Sequence, residues 1–501
     1  MQDDAKPLDD GPHDGRKENA AQTGLPAWGV AELPEPLPFS LRNVFRTIGP
    51  GAILLAASVG GGEWLAGPAI AVQHGVGILW IATIGILLQL LFNLEAIRYT
   101  LYTGEPILSG ILRLKPGSRF WAPIYVALTI AQLGLPALAA ACATMLFAAF
   151  TGHMPGGSDS GALAYVTWGV MAFVLLLLLF GGTIERMLEY VSWAMIAYIF
   201  TFLITVNIAF VPFDHSLQTV GGFFQFGHLA PDVNLLLLAT LATTAGSGGI
   251  GNLAITNWIR DKGMGMGSTV GAISSAVGSR HVQLSHVGNV FPVTAENLRR
   301  WRLWWKYVTA DQVWLWGLGC FVGMFLNVNL ATAIIPAGTD LDKVGAGAFQ
   351  AQYMRDHLWS GLWFLGLLNG FWILLSTHLG NTDVLVRVVT DTLWTASRRV
   401  RRWRGGNISL LYYGLLLVFT AGGLIAVRFG TAMQLFKVLG TVAGLVLAVA
   451  ALQVLRVNTT LLPPELRPPW WRRAALVLCA LFYGALCTVV VWDQVQEAMK
   501  N

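Results

Sequence analysis

The sequence predicts an all-α integral membrane protein. Its helix bundle has about eleven transmembrane helices: a five-plus-five inverted repeat with broken helices 1 and 6, and one helix left over. Three observations predict it. Hydrophobic residues make up 55% of the chain and charged residues only 12%, about half the charge of a soluble domain. Apolar runs long enough to cross a bilayer, about 20 residues each, recur along the chain. Two of these runs are interrupted midway by glycine clusters in corresponding halves of the sequence. Ser58-Val59-Gly60-Gly61-Gly62-Glu63 interrupts the first, and Gly246-Ser247-Gly248-Gly249-Ile250-Gly251-Asn252 the sixth.

The spans fall near 48–73, 76–99, 121–150, 163–182, 188–211, 233–258, 308–335, 358–383, 408–427, 432–455 and 474–492. Before them, residues 1–40 are rich in Asp, Gly and Pro and read as a disordered cytoplasmic tail, not a signal peptide. Residues 41–232 form the first repeat, 233–457 the second, and 458–501 the additional helix. Basic residues concentrate in alternate loops. One side takes Arg98, Arg113 and Lys115 after span 2, Arg299, Arg300 and Arg302 after span 6, and Arg398, Arg399 and Arg401 after span 8. Loops on the other side carry few. The positive-inside rule then places the N-terminus in the cytoplasm and the C-terminus outside, the arrangement expected for a bacterial inner (plasma) membrane. Twenty tryptophans suit aromatic belts at the two interfaces. The net charge of +5 needs no nucleic acid to explain it, and no obligate protein partner is evident beyond the lipid bilayer. Cys142, Cys320, Cys479 and Cys487 lie in apolar segments without metal-like spacing and read as inert buried thiols.

The glycine clusters carry the chemistry. Each glycine weakens a helix by about 1 kcal/mol relative to alanine, so three or four within five positions open it. Freed backbone groups cannot face lipid and must line an enclosed cavity. Paired interruptions of this kind point to the substrate site of a transporter.

Several stretches resemble the Nramp family of metal transporters, which share the LeuT-like fold. Gly49-Pro50-Gly51 matches the family's GPG, and its DPGN motif then falls on Gly60-Gly61-Gly62-Glu63. Asn252-Leu253 matches the end of MPHNL, placing MPHN on Gly249-Ile250-Gly251-Asn252. Ser376-Thr377-His378-Leu379-Gly380 is similar to a segment of helix 8. The likeness covers roughly residues 45–455 and implies alternating access by helices 1 and 6. The departures are chemical. The family's metal-binding aspartate and methionine positions are Gly60 and Gly249, and its asparagine position is Glu63. Gly251 replaces the histidine of the proton route, and helix 3 has no acid, only Gln132 as its main polar residue. The shell for a bare transition metal is therefore absent. Its loss is similar to the Nramp-related magnesium transporters, which accept a larger, hydrated ion.

An ionised side chain inside a membrane span is expensive and usually functional. Glu63, with the open backbone of Gly60, Gly61, Gly62, Gly249 and Gly251 and the amide of Asn252, therefore forms the expected substrate site. Glu63 and Asn252 are the expected ligands of a hydrated divalent cation such as Mg2+, which keeps its waters and takes one or two carboxylates. Loss of two bulky ligands is expected to enlarge the cavity. Exposed N–H groups at half-helix ends would equally suit an anionic or amino-acid solute. Glu63 as a simple helix cap, and a receptor or scaffold that transports nothing, are the other readings. Gln132, His378 and Asp383 are candidates for coupling or gating. Glu185, Arg186 and Glu189 form a loop cluster that could gate, and Glu95 is placed to pair with Arg98. No HExxH, GxSxG or CxxC motif and no nucleophile–base pair suggests an enzyme, and no prosthetic group is expected beyond a transported ion.

Overall fold

The structure is a computed structural model describing residues 24–179, 183–230, 233–274, 284–341, 346–403, 407–427 and 432–500. It is an all-α membrane helix bundle. Its spans are α1 (Pro50–His74), α2 (Val76–Thr103), α3 (Ser118–Thr151), α4 (Gly157–Leu179) and α5 (Ile184–Phe210). After them come a broken sixth span, α6a (Leu235–Thr244) and α6b (Ile250–Asp261), then α7 (Ala295–Ile334), α8 (Leu362–Ala396), α9 (Ile408–Ala426), α10 (Met433–Thr460) and α11 (Trp470–Trp492). Among the described residues ten of these helices are long and apolar enough to cross a membrane. Large apolar side chains such as Leu417, Val418, Ile425, Leu478, Leu481 and Trp492 are exposed on the bundle surface, as a lipid-facing wall requires.

Both glycine clusters do interrupt their helices. The first segment of α1 begins at Pro50, the position where a missing N–H costs nothing, and ends at Ser58. The chain turns at Gly61, makes a wide π-helical turn over Gly62–Ala66, and resumes as a helix over Gly67–His74. The sixth span opens fully. Gly246, Gly248 and Gly249 have φ of 109°, 74° and 57°, left-handed values that glycine adopts without penalty.

Helix α8 runs beyond the expected 358–383, to Ala396. Arg387 and Asp391 give the extension the look of a loop in the sequence. Both are buried and ion-paired, so the helix continues through them. Asp383 consequently sits within the helix and not near its end.

The expected disordered tail is corrected for residues 24–40. Gly29–Val30 pairs in parallel with Asn289–Val290, with Gly29 opposite Asn289. Leu25 and Leu33 are buried. Main-chain carbonyls of this segment accept hydrogen bonds from Arg113 (Pro26, 2.7 Å), Arg300 (Leu33, 2.8 Å) and Trp304 (Pro34, 2.8 Å). The composition that suggests disorder belongs to a strap held by side chains distant in sequence. Residues 1–23 lie outside the described residues.

One ion pair anchors the strap. Arg113 binds both carboxylate oxygens of Glu105, at 2.6 and 2.9 Å, and stacks over Trp28 at 4.7 Å. Burial alone would raise the Glu105 pKa. The charge and hydrogen bonds of Arg113 outweigh it and hold the carboxyl below its ordinary value. A depressed carboxylate pKa contributes stability above the unfolded-state value, about 4.3 for Glu, and loses it as pH falls through the folded-state value. Arg113→Ala is expected to cost about 3–5 kcal/mol, the usual result of orphaning a buried charge. Thermal melts of the wild type and Glu105→Gln should differ at pH 7 and converge as the medium is acidified below the carboxylate range.

Candidate functional site

The site forms where the break of α1 meets the break of the sixth span. Glu63 sits in the π-helical turn, completely buried. Its Oε1 accepts the N–H of Gly246 at 3.1 Å, and its Oε2 has no hydrogen-bond partner. Helix α7 flanks it: the Cys320 thiol lies against the carboxylate, and Gly323 faces the Glu63 Cγ.

Two glutamines brace the open backbone. Gln89 of α2 accepts the N–H groups of Ser247 and Gly248, both at 3.0 Å. Its amide donates to the carbonyls of Thr243 at 3.2 Å and Ala245 at 3.1 Å, and to the Tyr483 hydroxyl of α11 at 3.1 Å. Gln132 of α3 accepts the N–H of Ile250 at 3.1 Å and donates to the Gly248 carbonyl at 3.0 Å. Gln132 is therefore a brace of the break. Of the N–H groups expected to attract an anionic solute, those of Gly246, Ser247, Gly248 and Ile250 are taken by Glu63, Gln89 and Gln132.

The glycines pack where an enlarged cavity was expected, and this corrects that reading. A Cβ on Gly60 would stand 2.5 Å from Thr377 Oγ1 and 2.8 Å from the Ile373 carbonyl of α8. Gly60 also donates its N–H to Thr377 at 2.8 Å. A Cβ on Gly249 would stand 2.5 Å from Gln132 Oε1 and 2.8 Å from the Ala443 Cα. Gly62 faces the Thr244 backbone, and Gly251 faces Ser247 Oγ. Removing side chains here lets the helices approach, and the freed volume is filled by neighbours.

Asn252 belongs to a second cluster. Its amide donates to Asn93 at 2.9 Å, Asn93 donates to Gln312 at 3.1 Å, and Gln312 donates to Asp311 at 2.8 Å. Asp311 Oδ1 then accepts the N–H groups of Gly49 and Gly51 at the start of α1, each at 3.0 Å. The Asn252 Oδ1 is buried without a partner. This chain of polar groups links α6b to the first turn of α1 through α2 and the π-helical stretch Ala310–Gly317 of α7.

A third group closes the α6b end. Asp383 accepts from Arg387 at 2.8 and 3.0 Å, Trp258 at 2.9 Å and Tyr412 at 2.7 Å. Arg387 also pairs with Asp261, and Arg260 bridges Asp261 at 2.7 Å and Asp391 at 3.0 Å. Lys262 pairs with Glu189. Glu95 pairs with Arg98 at 2.7 Å. His378 is elsewhere: it lines a cavity of about 40 Å³ between the α3 kink at Gly134–Pro136 and α4, α8 and α9. Sequence reasoning missed Gln89, Asn93, Asp311 and Gln312. Their signal was a polar side chain within an apolar span.

No family model matches the chain, and no curated protein matches it in sequence. Solved structures do match in fold. A mutant form of the manganese transporter of Eremococcus coleocola is 15% identical with a TM-score of 0.65, covering 93% of this chain and 90% of that one. The same transporter in complex with an aromatic bis-isothiourea substituted compound is 14% identical with a TM-score of 0.63, over the same shares of both chains. The two proteins share a fold.

Gly60→Asp is expected to destabilise the protein and not to restore a metal ligand, because overpacking a close contact costs about 1–3 kcal/mol. A detergent melt reads this. Gln132→Ala strands one buried donor and one buried acceptor, and each unsatisfied group costs about 1–3 kcal/mol. It should lower the melting temperature more than Thr144→Ala, whose hydroxyl only returns to the carbonyl of its own helix.

Proposed function

We propose that this chain is a secondary active transporter that carries a divalent cation across the membrane by alternating access, with Glu63 as the central ligand. One observation carries the reading: a fully buried carboxylate, placed between two broken helices, has an oxygen without a partner. A buried charge of this kind is expensive unless a cation meets it. Asn252 Oδ1 is a second buried oxygen free to accept a ligand beside the same break. The shared fold with a manganese transporter supports the cargo class. In this reading residues 41–232 and 233–457 are the two repeats, the N-terminus is cytoplasmic, and the membrane is a bacterial inner membrane.

Close packing around Gly60 and Gly249 favours a cation that has shed most of its water over a fully hydrated ion. It also disfavours an organic solute. The α6b network of Asp261, Asp383, Arg387, Arg260 and Asp391 would serve as one gate. The Asp311 contacts to Gly49 and Gly51 would hold the first segment of α1 against α7 until that gate opens.

Uptake of Mn2+ into proteoliposomes tests the proposal. Glu63→Gln removes charge-assisted contacts worth about 1.5–3 kcal/mol and should cut subsaturating uptake roughly ten- to hundredfold. Wild-type uptake by a Glu63→Gln protein with an unchanged melting temperature would overturn the assignment.

A further inference from the structure

Cys320 reads as an inert thiol in the sequence, but its surroundings differ from those of the other cysteines. Cys142 donates to the Phe371 carbonyl at 3.5 Å, and Cys487 lies 3.9 Å from the Thr441 carbonyl. Cys320 is fully buried on α7, and its thiol sits beside the Glu63 carboxylate and the Ser58 hydroxyl without a hydrogen bond of ordinary geometry to the Glu63 Oε2. A Cβ on Gly323, one turn further along α7, would stand 3.7 Å from the Glu63 Cγ and from the Val59 side chain. This face of α7 is therefore pressed into the α1 break. Trp316, one turn before Cys320, donates to Ser58 Oγ at 3.4 Å, which fixes the hydroxyl on the same side.

We propose that Cys320 is the sulfur ligand of the transported cation, forming with Glu63 Oε2 and Ser58 Oγ a site selective for thiophilic divalent ions over Mg2+. The proposal rests on the cation-transporter reading above and sharpens its substrate class. Soft sulfur ligands favour Zn2+ and its neighbours, whereas Mg2+ prefers oxygen alone. The thiolate is the ligand form, so binding a divalent ion releases the thiol proton to solvent and leaves carboxylate and thiolate to neutralise the ion's two charges. Among the described residues no three His, Cys, Asp or Glu side chains are grouped so as to hold a metal ion. A two-anion site suits cargo that must leave again: binding has to be strong enough to enter and weak enough to release.

Cd2+ is the probe, because a cadmium–thiolate bond gives an ultraviolet charge-transfer band. The full-length protein is titrated in detergent as the wild type, as Cys320→Ser, and as the triple variant Cys142→Ser/Cys479→Ser/Cys487→Ser that retains only Cys320. The band is expected in the wild type and the triple variant, absent in Cys320→Ser, and resistant to excess Mg2+. Cd2+ affinity, read by thermal shift, should fall in Cys320→Ser by at least the roughly tenfold that loss of a mere supporting group costs a metal site. Should Cys320→Ser fail to fold, Glu63→Gln replaces it, and the band of that variant should need at least as large an increase in Cd2+. Absence of the band from a folded triple variant overturns the sulfur ligand. If Mn2+ still stabilises that protein, the Glu63 cation site survives without it. If neither Cd2+ nor Mn2+ stabilises the wild type, the transporter reading itself has failed.

Discussion

A helix broken at bilayer depth leaves backbone groups with no water to satisfy them, and this fold is organised around meeting that demand. The sixth span opens over five residues, and three side chains from three other helices take up its hydrogen bonds. Glu63 takes Gly246, Gln89 takes Ser247 and Gly248, and Gln132 takes Ile250. Gln89 is itself held by Tyr483. Helix α11, the last of the spans, thereby becomes part of the support for the break.

The same demand governs the ends of the first broken helix. Asp311 supplies the acceptors for the first turn of α1, and the hydroxyls of Ser376 and Thr377 reach the Ala56 carbonyl near its last turn. The short segment Pro50–Ser58 is thus held at both ends by side chains of α7 and α8. It can change partners without unfolding, because its internal ladder does not depend on either contact. The ion pairs around Arg387 act differently. Buried pairs contribute little net stability but enforce one arrangement, so they specify where α6b rests against α8 and α9.

The spans, the two breaks and the place of an acid at the first break were visible in the sequence, since each is a local property: apolar length, glycine density, an acid in an apolar run. What the glycines do was not visible. Gly60 and Gly249 read as missing side chains and therefore as space, but Thr377, Gln132 and Ala443 move into it. That outcome depends on helix approach, which no single segment encodes. Gln89 was hidden for the same reason, and so was the bracing role of Gln132: their partners lie more than a hundred residues away. The length of α8 was underestimated because Arg387 and Asp391 look solvated until Asp261 and Arg260 are placed beside them.

The close packing of Gly60, Gly62 and Gly249 has a mechanical consequence. These glycines leave no room for even a methyl group, so any parting of the helices at the breaks must create space that this packed arrangement does not contain. Parting the helices and filling the gap between them are then a single event, because no preformed void lies there to be occupied first.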